Sequence, residues 1–409
     1  MSAQPHALVI GGSVGGLFAA LLLRNIGWET SVFERAHDDL GDRGAAIGLT
    51  DALIAVMQRI GVDVDPSMMV ETHSRICLDR SGAIVHQVPL RGMTSAWGRL
   101  YRPLKAALPA QCYRAGMALE RVEQDALGVT AMFADGSRAR ADLLIGADGI
   151  HSTVRRKLLP DAQPQYAGYV VWRAVTHEHD IPEPVRAKLA RLFHHMTFCF
   201  PHDGMGLGLP MPGADANEPR RYQFAWFRPA DHATLLAMCT DGDGRQHGVS
   251  IAPPLIRREL IAELRASAAA EIAPELAALL AATAQPILQP IFDLETPSLA
   301  FGRVTLLGDA AFVARPHVAT GITKAALDAA SLADALAENT ANVAVALLGY
   351  ERERKAAGSQ LVARGRYLGA FLEPQSPSVP RPRHWHPEII IREYGAAGVI
   401  DDKTIAQTI

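Results

Sequence analysis

Residues 7–20 read Ala-Leu-Val-Ile-Gly-Gly-Ser-Val-Gly-Gly-Leu-Phe-Ala-Ala, and few folds accept such a run. Four apolar residues including β-branched Val9 and Ile10 fit a buried parallel strand. The apolar run from Leu17 to Ile26 has helical spacing and stops at Gly27, a residue suited to the position just past a helix. The glycines therefore occupy a strand-to-helix turn. Such a turn lets backbone approach a pyrophosphate, while the helix N-terminus supplies free N–H groups and a partial positive charge. The next strand, over residues 29–34, ends in Glu34, 23 positions after Gly11, where a ribose hydroxyl is accepted. The pattern predicts an adenosine dinucleotide with a free 2′-hydroxyl, held by Gly11, Gly12, Ser13, Gly16 and Glu34. Aligned as Gly11-x-Ser13-x-x-Gly16, the fingerprint has serine at its middle glycine, and a Cβ there crowds the pyrophosphate unless φ stays negative.

A chain of 409 residues has room for two or more domains, and its formal charge of −3 creates no field that favours nucleic acid or an anionic membrane. No apolar run reaches the ~18 residues that span a bilayer, and residues 1–6 lack a signal-peptide pattern, so a cytoplasmic protein is expected. Cys77, Cys112, Cys199 and Cys239 show no metal-ligand spacing and read as reduced thiols. The paired histidines lack a third ligand, so no metal site is expected.

Further along, Arg43 lies on a polar loop, where it faces either a bound phosphate or cofactor edge or, equally, solvent as an ordinary exposed arginine. A helix is expected over residues 50–60, a hairpin over 74–90, a helix containing Arg102 over 98–108, and strands near 111–114 and 117–123. A second hairpin turns at residues 134–137. Asp142-Leu143-Leu144-Ile145-Gly146-Ala147-Asp148-Gly149 mirrors the first strand and feeds another capped helix. From residue 160 to about 290 aromatics become denser, with strand-like patches and one helical stretch over 255–282. Gly204-Met205-Gly206-Leu207-Gly208 lies between strand patches and opens no helix, so it reads as a turn or flexible strand. A third strand, 301–307, ends in Gly308-Asp309 and precedes a helix over 321–337.

Three motifs thus stand together: Gly11-x-Ser13-x-x-Gly16 with Glu34, Gly146-Ala147-Asp148-Gly149, and Gly308-Asp309-Ala310-Ala311 with Pro316 and Gly321. In order and spacing they resemble the single-component flavin-dependent aromatic hydroxylases, which share the p-hydroxybenzoate hydroxylase fold. The resemblance covers about residues 5–370. It implies an α/β architecture: a Rossmann-like FAD-binding domain with a parallel sheet (1–72, 99–160 and 297–350) and a mainly antiparallel β-sheet substrate domain (73–98 and 161–296). A C-terminal helix and tail occupy 351–409. By position, Gly11, Gly12, Ser13, Gly16, Glu34 and Arg35 would hold the ADP half of FAD, with Arg102 near the pyrophosphate. Asp148 and Gly149 match a motif implicated in FAD and nicotinamide binding. Asp309 matches the acid beside the ribityl chain, Gly321 and Ile322 match the helix start beneath the isoalloxazine, and Arg155 also fits. Phe312 stands where the family commonly has histidine, and Ala319-Thr320-Gly321 replaces Gly-Gln-Gly. The stretches Arg315-Pro316-His317 and 166–173 look most like the branch containing 2,6-dihydroxypyridine 3-hydroxylase.

The resemblance implies non-covalent FAD and a monooxygenase reaction: NADH or NADPH reduces the flavin, and O2 yields a C4a-hydroperoxide that hydroxylates a small aromatic substrate, a hydroxypyridine-like heterocycle or a phenol. His317 is the first candidate for assisting ring deprotonation, its alternative being to shape the loop; Arg315 could attract an anionic ring or lock the loop through an ion pair. Trp172, Tyr222, Trp226 and Pro316 are candidates to line the substrate site. A reductase or halogenase on the same frame, or a flavin-binding module without enzyme activity, is the competing reading; the Trp-x-Trp-x-Ile-Pro signature of halogenases is absent. A homodimer is one compatible assembly.

Overall fold

The computed structural model describes residues 4–41, 45–202, 204–340, 342–373 and 386–395. Its first unit follows from the apolar run at the N-terminus. Strand β1 (His6–Ile10) passes through the glycine turn into helix α1 (Val14–Asn25), and β2 (Glu29–Phe33) returns parallel to β1. Gly27 takes φ +88° directly after the helix, a backbone that ends helices most cheaply on glycine. Strand β3 (Leu143–Gly146) leads to α2 (Thr153–Leu158). Here both Ser152 Oγ and Asp148 Oδ2 accept from the first turn, from Arg155 N (2.9 Å) and Thr153 N (2.6 Å) respectively.

The chain then builds a second sheet from β4 (Gln165–His177), β5 (His195–Cys199), β6 (Met205–Met211) and β7 (Arg221–Pro229). Helices α3 (Arg258–Glu271) and α4 (Pro274–Ala282) occupy the expected helical stretch, divided just before Pro274, which has no N–H to continue α3. After β8 (Ile287–Glu295) comes β9 (Val304–Leu306), then α5 (Gly321–Glu338), α6 (Val343–Gly369) and α7 (Pro387–Glu393). The expected third strand is a short hairpin instead: Ala300–Phe301 pairs antiparallel with β9 because Gly302 turns the chain at φ +67°.

Two sheets carry the molecule. The six-stranded one runs Ala300–Phe301, β9, β3, β1, β2, Tyr113–Arg114, all parallel but for its first strand. The eight-stranded one runs Phe312–Val313, β8, β4, β7, β6, β5, Ser74–Leu78, Ile84–Val88, antiparallel except between β5 and Ser74–Leu78. The glycine-rich stretch at 204–208 falls mostly in β6. Gly206 and Gly208 leave room for the rings of Phe224 and Tyr222 on the neighbouring strand. Among the described residues no helix is long and apolar enough to cross a membrane, no cluster of ligating side chains could hold a metal, and the four cysteines are free.

Candidate active site

The C-terminal ends of β1, β3 and β9 open into one cavity of about 1140 Å³, which extends beneath the eight-stranded sheet. At the dinucleotide end, Gly11 takes φ +109° and a Cβ there would run into the Ala147 carbonyl; at Gly16 a Cβ would strike the Gly11 carbonyl oxygen. Glycine is therefore required for the turn to pass β3 and for α1 to start close above it. Ser13 has φ −79°, so its side chain is accommodated at the middle position, and it gives α1 no side-chain cap. The N–H groups of the first turn are left facing the cavity that Ser13, Val14 and Gly15 line. Glu34 is buried, and its oxygens accept from Gly12 N (2.8 Å) and Ala36 N (2.9 Å). Its carboxylate is thereby fixed at the cavity wall beside exposed Arg35. Gly12 and Gly16 shape the turn without lining the cavity.

The other two strand ends add polar groups. Asp148 lines the cavity, and burial raises its carboxyl above the usual range, opposed by hydrogen bonds that include those from the α2 start. Its Oδ1 has no partner among the described residues. Gly149 (φ +75°), half-exposed Asp309, Gly321 and Ile322 line the same wall. One residue here carries no motif: Lys324, on the first turn of α5, is 2% exposed and lines the cavity. Its Nζ lies 3.6 Å from Asp309 and 3.9 Å from Asp328 yet makes no hydrogen bond among the described residues. Thr320 Oγ1, just before α5, is likewise buried without a partner. An open helix start, a fixed carboxylate and a buried ammonium with unused donors suit a dinucleotide diphosphate and its ribose.

Beneath the eight-stranded sheet the cavity is a chamber walled by Val175, Met196, Leu207, Leu209, Ala225 and Phe227, with Arg173, Gln223, Gln289 and Tyr394 as its polar members. Trp172, Tyr222 and Trp226 are not in it. The register pairs Trp172 with Trp226 and Thr176 with Tyr222, on the face that packs against α3 and α4, where all three aromatics are buried among Leu264, Leu276, Leu279 and Leu280. Side chains alternate along a strand, so the residues one position away, Arg173, Gln223, Ala225 and Phe227, are the ones turned to the chamber.

The loop from Ala314 to Thr320 forms the remaining wall, through Arg315, Pro316, Val318 and Ala319. Arg315 is committed elsewhere: it holds buried Asp293 through Nε (3.1 Å) and Nη2 (2.9 Å), and Glu373 through Nη1 (2.7 Å). Burial works against its charge, but the Asp293 hydrogen bonds and charge outweigh it and hold the guanidinium above its ordinary value. This is the loop-locking ion pair. His317 does not line the cavity; the short helical turn Pro316–Val318 directs its fully buried ring against Phe227 and Tyr169, whose Oη lies 2.8 Å from Nε2. Burial, with Arg315 nearby, pushes the imidazole down to about 3, so the ring is neutral, and its Nδ1 has no partner among the described residues. Phe312, at the family's histidine position, is core and packs where Gly358 of α6 leaves space.

Two further expectations change. Arg102 is exposed, outside the cavity lining, and donates to the Ala214 carbonyl (3.0 Å). Arg155 is buried and spends its guanidinium on the carbonyls of Ile150, Ala162 and Ala310. Arg43 lies outside the described residues. Sequence reasoning missed Arg173, Gln289, Lys324 and Tyr394. A lone charge inside the apolar strand Tyr169–Val175 was the available signal for the first.

The chain is 30% identical over 333 residues to a 2,6-dihydroxypyridine 3-monooxygenase of Paenarthrobacter nicotinovorans, covering 81% of this chain and 82% of that one. The solved 2,6-dihydroxypyridine-3-hydroxylase of Arthrobacter nicotinovorans superposes with a TM-score of 0.84 at 28% identity, covering 94% of this chain and 99% of the other. A Klebsiella pneumoniae protein solved with FAD and uric acid follows with a TM-score of 0.72 at 27% identity over 90% and 88% of the two chains. Residues 5–365 match the family described as FAD binding domain, and the chain belongs to that family as a FAD-dependent monooxygenase.

Proposed function

We propose that the protein hydroxylates an electron-rich aromatic ring, a hydroxypyridine-like heterocycle or a phenol, using FAD, NAD(P)H and O2. The observation that carries this reading is the continuity of the cavity. One space joins the dinucleotide end, with Ser13, Glu34, Asp309 and Gly321, to a largely apolar chamber beneath the eight-stranded sheet. Bound FAD supplies the redox chemistry and the activation of oxygen.

The residues then have distinct tasks. The α1 start and Lys324 would hold the diphosphate, Glu34 the adenosine ribose, Asp309 the ribityl chain, and Gly321 with Ile322 the ring system at the start of α5. Val175, Leu207, Leu209, Ala225 and Phe227 would position the substrate ring and keep water from the reacting atoms. Pro316 contributes wall, with φ fixed near −65° by its ring. Arg315, within that wall, and His317, behind it, would stiffen it through their buried contacts. The requirement for NAD(P)H and the free cysteines favour a cytoplasmic setting.

The test is turnover of the FAD-loaded protein. Hydroxypyridines or phenols are expected to accelerate NAD(P)H oxidation and to yield a product one oxygen atom heavier. NAD(P)H oxidation that no ring accelerates, with no hydroxylated product by mass spectrometry, refutes the reading.

A further inference from the structure

Among the described residues the buried arginines are spent on protein acceptors, whereas half-buried Arg173 is not. Arg315 binds Asp293 and Glu373, Arg354 binds Asp328, Arg155 binds three carbonyls, and Arg75 binds the carbonyls of Ile391, Arg392 and Tyr394. Arg173 lies in the chamber wall between Trp172 and Ala174, both on the opposite face. Its one hydrogen bond among the described residues runs from Nε to Gln289 Oε1 (2.8 Å). Both terminal nitrogens are left without a protein partner, in a space whose other walls are Val175, Leu207, Leu209 and Phe227. No carboxylate within the described residues pairs with it.

A second donor faces the same space from a remote part of the chain. Tyr394 follows α7, lines the cavity, and has no hydrogen bond from its hydroxyl among the described residues. Its position is well determined. Arg75 Nη1 grips the end of α7, Gly395 N donates to the His317 carbonyl (2.7 Å), and Ile390 and Ile391 pack with Phe198 and Leu372 in the layer against the chamber side of the sheet. The chain orders its C-terminal segment so that a phenol stands in the chamber wall with the guanidinium.

A cation with two unused forked donors, a nearby hydroxyl and apolar surroundings is an arrangement for a desolvated anion, because a charge-assisted pair strengthens where water is excluded. We propose that Arg173 and Tyr394 form an anion-recognising subsite, with Gln289 orienting the guanidinium, and that the aromatic substrate binds as its anion through a carboxylate or an ionised ring hydroxyl. This deepens the ring-hydroxylase reading and rests on it.

The experiment titrates the FAD-loaded protein with two ligand pairs, following the flavin absorbance: 4-hydroxybenzoate against 4-hydroxybenzamide, and 2,6-dihydroxypyridine against 2,6-dimethoxypyridine. The acidic member of at least one pair is expected to bind more tightly, and the pair that discriminates identifies the anionic group. In Arg173→Met that member should lose roughly 10- to 100-fold in affinity while its neutral partner changes little. Arg173→Lys should fall between, keeping the charge without the fork. Tyr394→Phe, which removes one oxygen and no packing, should cost the acidic ligand a few-fold and the neutral one nothing. An acidic-to-neutral affinity ratio that is the same in wild type and both Arg173 variants overturns the subsite, even if rings stimulate NAD(P)H oxidation. If no ring perturbs the bound flavin or stimulates oxidation, the hydroxylase reading falls and takes the subsite with it.

Discussion

The two faces of the eight-stranded sheet are made by the same strands and do opposite work. On β4 and β7 the residues Trp172, Ala174, Tyr222, Phe224 and Trp226 are sealed against α3 and α4. Their immediate neighbours Arg173, Val175, Gln223, Ala225 and Phe227 face the chamber. The helix face holds the larger aromatics because close packing of big rings is where apolar burial stabilises most. The chamber face is lined by smaller side chains and a few polar groups, which leave space and unused donors. Size and aromaticity are therefore a poor guide to the substrate side of such a sheet; side-chain parity is the better one.

The sharpest way to break this contrast is a pair of truncations. Trp226→Ala should destabilise the fold by about 3–5 kcal/mol through lost burial and the cavity left behind. Val175→Ala, on a chamber wall already bordering open space, should cost less than ~1.5 kcal/mol. Urea unfolding midpoints at constant slope measure both, and flavin-perturbation titrations measure ring binding. The expected outcome is a reversal: the first variant loses stability and the second changes ring affinity. Similar stability losses in the two would mean that the chamber face is as tightly packed as the helix face.

Legibility divides along the same line. The dinucleotide end was readable because its constraints are local in sequence. A strand, a glycine turn, a helix start and a carboxylate at fixed spacing determine one another, and the strand ends carrying Glu34, Asp148 and Asp309 all border the cavity. The ring chamber was not readable in that way. Residues 169–172 of β4 are buried on both faces, and the run Tyr169-Val170-Val171-Trp172-Arg173-Ala174-Val175 has no regular hydrophobic alternation in sequence to reveal which parity faces a ligand. Tyr394 comes from more than 160 residues beyond β7, and only the tertiary contacts of Arg75 and His317 place it. The role of His317 turned on the direction of one short helical turn, which flanking prolines and glycines do not specify.

His317 sharpens the comparison, because it sits behind the chamber face without reaching the chamber. An imidazole held down to about 3 in the folded protein must stay neutral, whereas the unfolded chain takes up its proton near 6.5. On acidification the unfolded state protonates first, so stability is lost as pH falls from about 6.5 toward 3, by roughly 3 kcal/mol between pH 7 and pH 4 for this one group. His317→Gln should flatten the pH dependence of the unfolding midpoint over that window. It should leave the ratio of hydroxylated product to NAD(P)H consumed unchanged at neutral pH. A loss of coupling that rising pH repairs would instead assign His317 a proton-transfer role and move it to the ligand side of the comparison.

Lys324 is the converse case and the smaller effect. His317 is buried with a partner in Tyr169, while Lys324 is buried facing the cavity with donors unused, 3.6 Å from Asp309 and 3.9 Å from Asp328. A desolvated ammonium without hydrogen bonds costs the ligand-free protein stability, and a diphosphate arriving at the α1 start would repay that through a charge-assisted contact. Lys324→Met keeps most of the stem's volume and removes the charge. In the FAD-free protein it should therefore raise the thermal midpoint slightly, whereas FAD affinity, read by quenching of flavin fluorescence, should fall about 10-fold, the ~1.4 kcal/mol of one hydrogen bond to a charged group. Added salt should narrow the difference between wild type and variant only weakly, because the pair forms away from solvent. If FAD binds the variant as tightly as it binds wild type, the ammonium serves Asp309 and Asp328 alone, and the diphosphate is held by the α1 start without it.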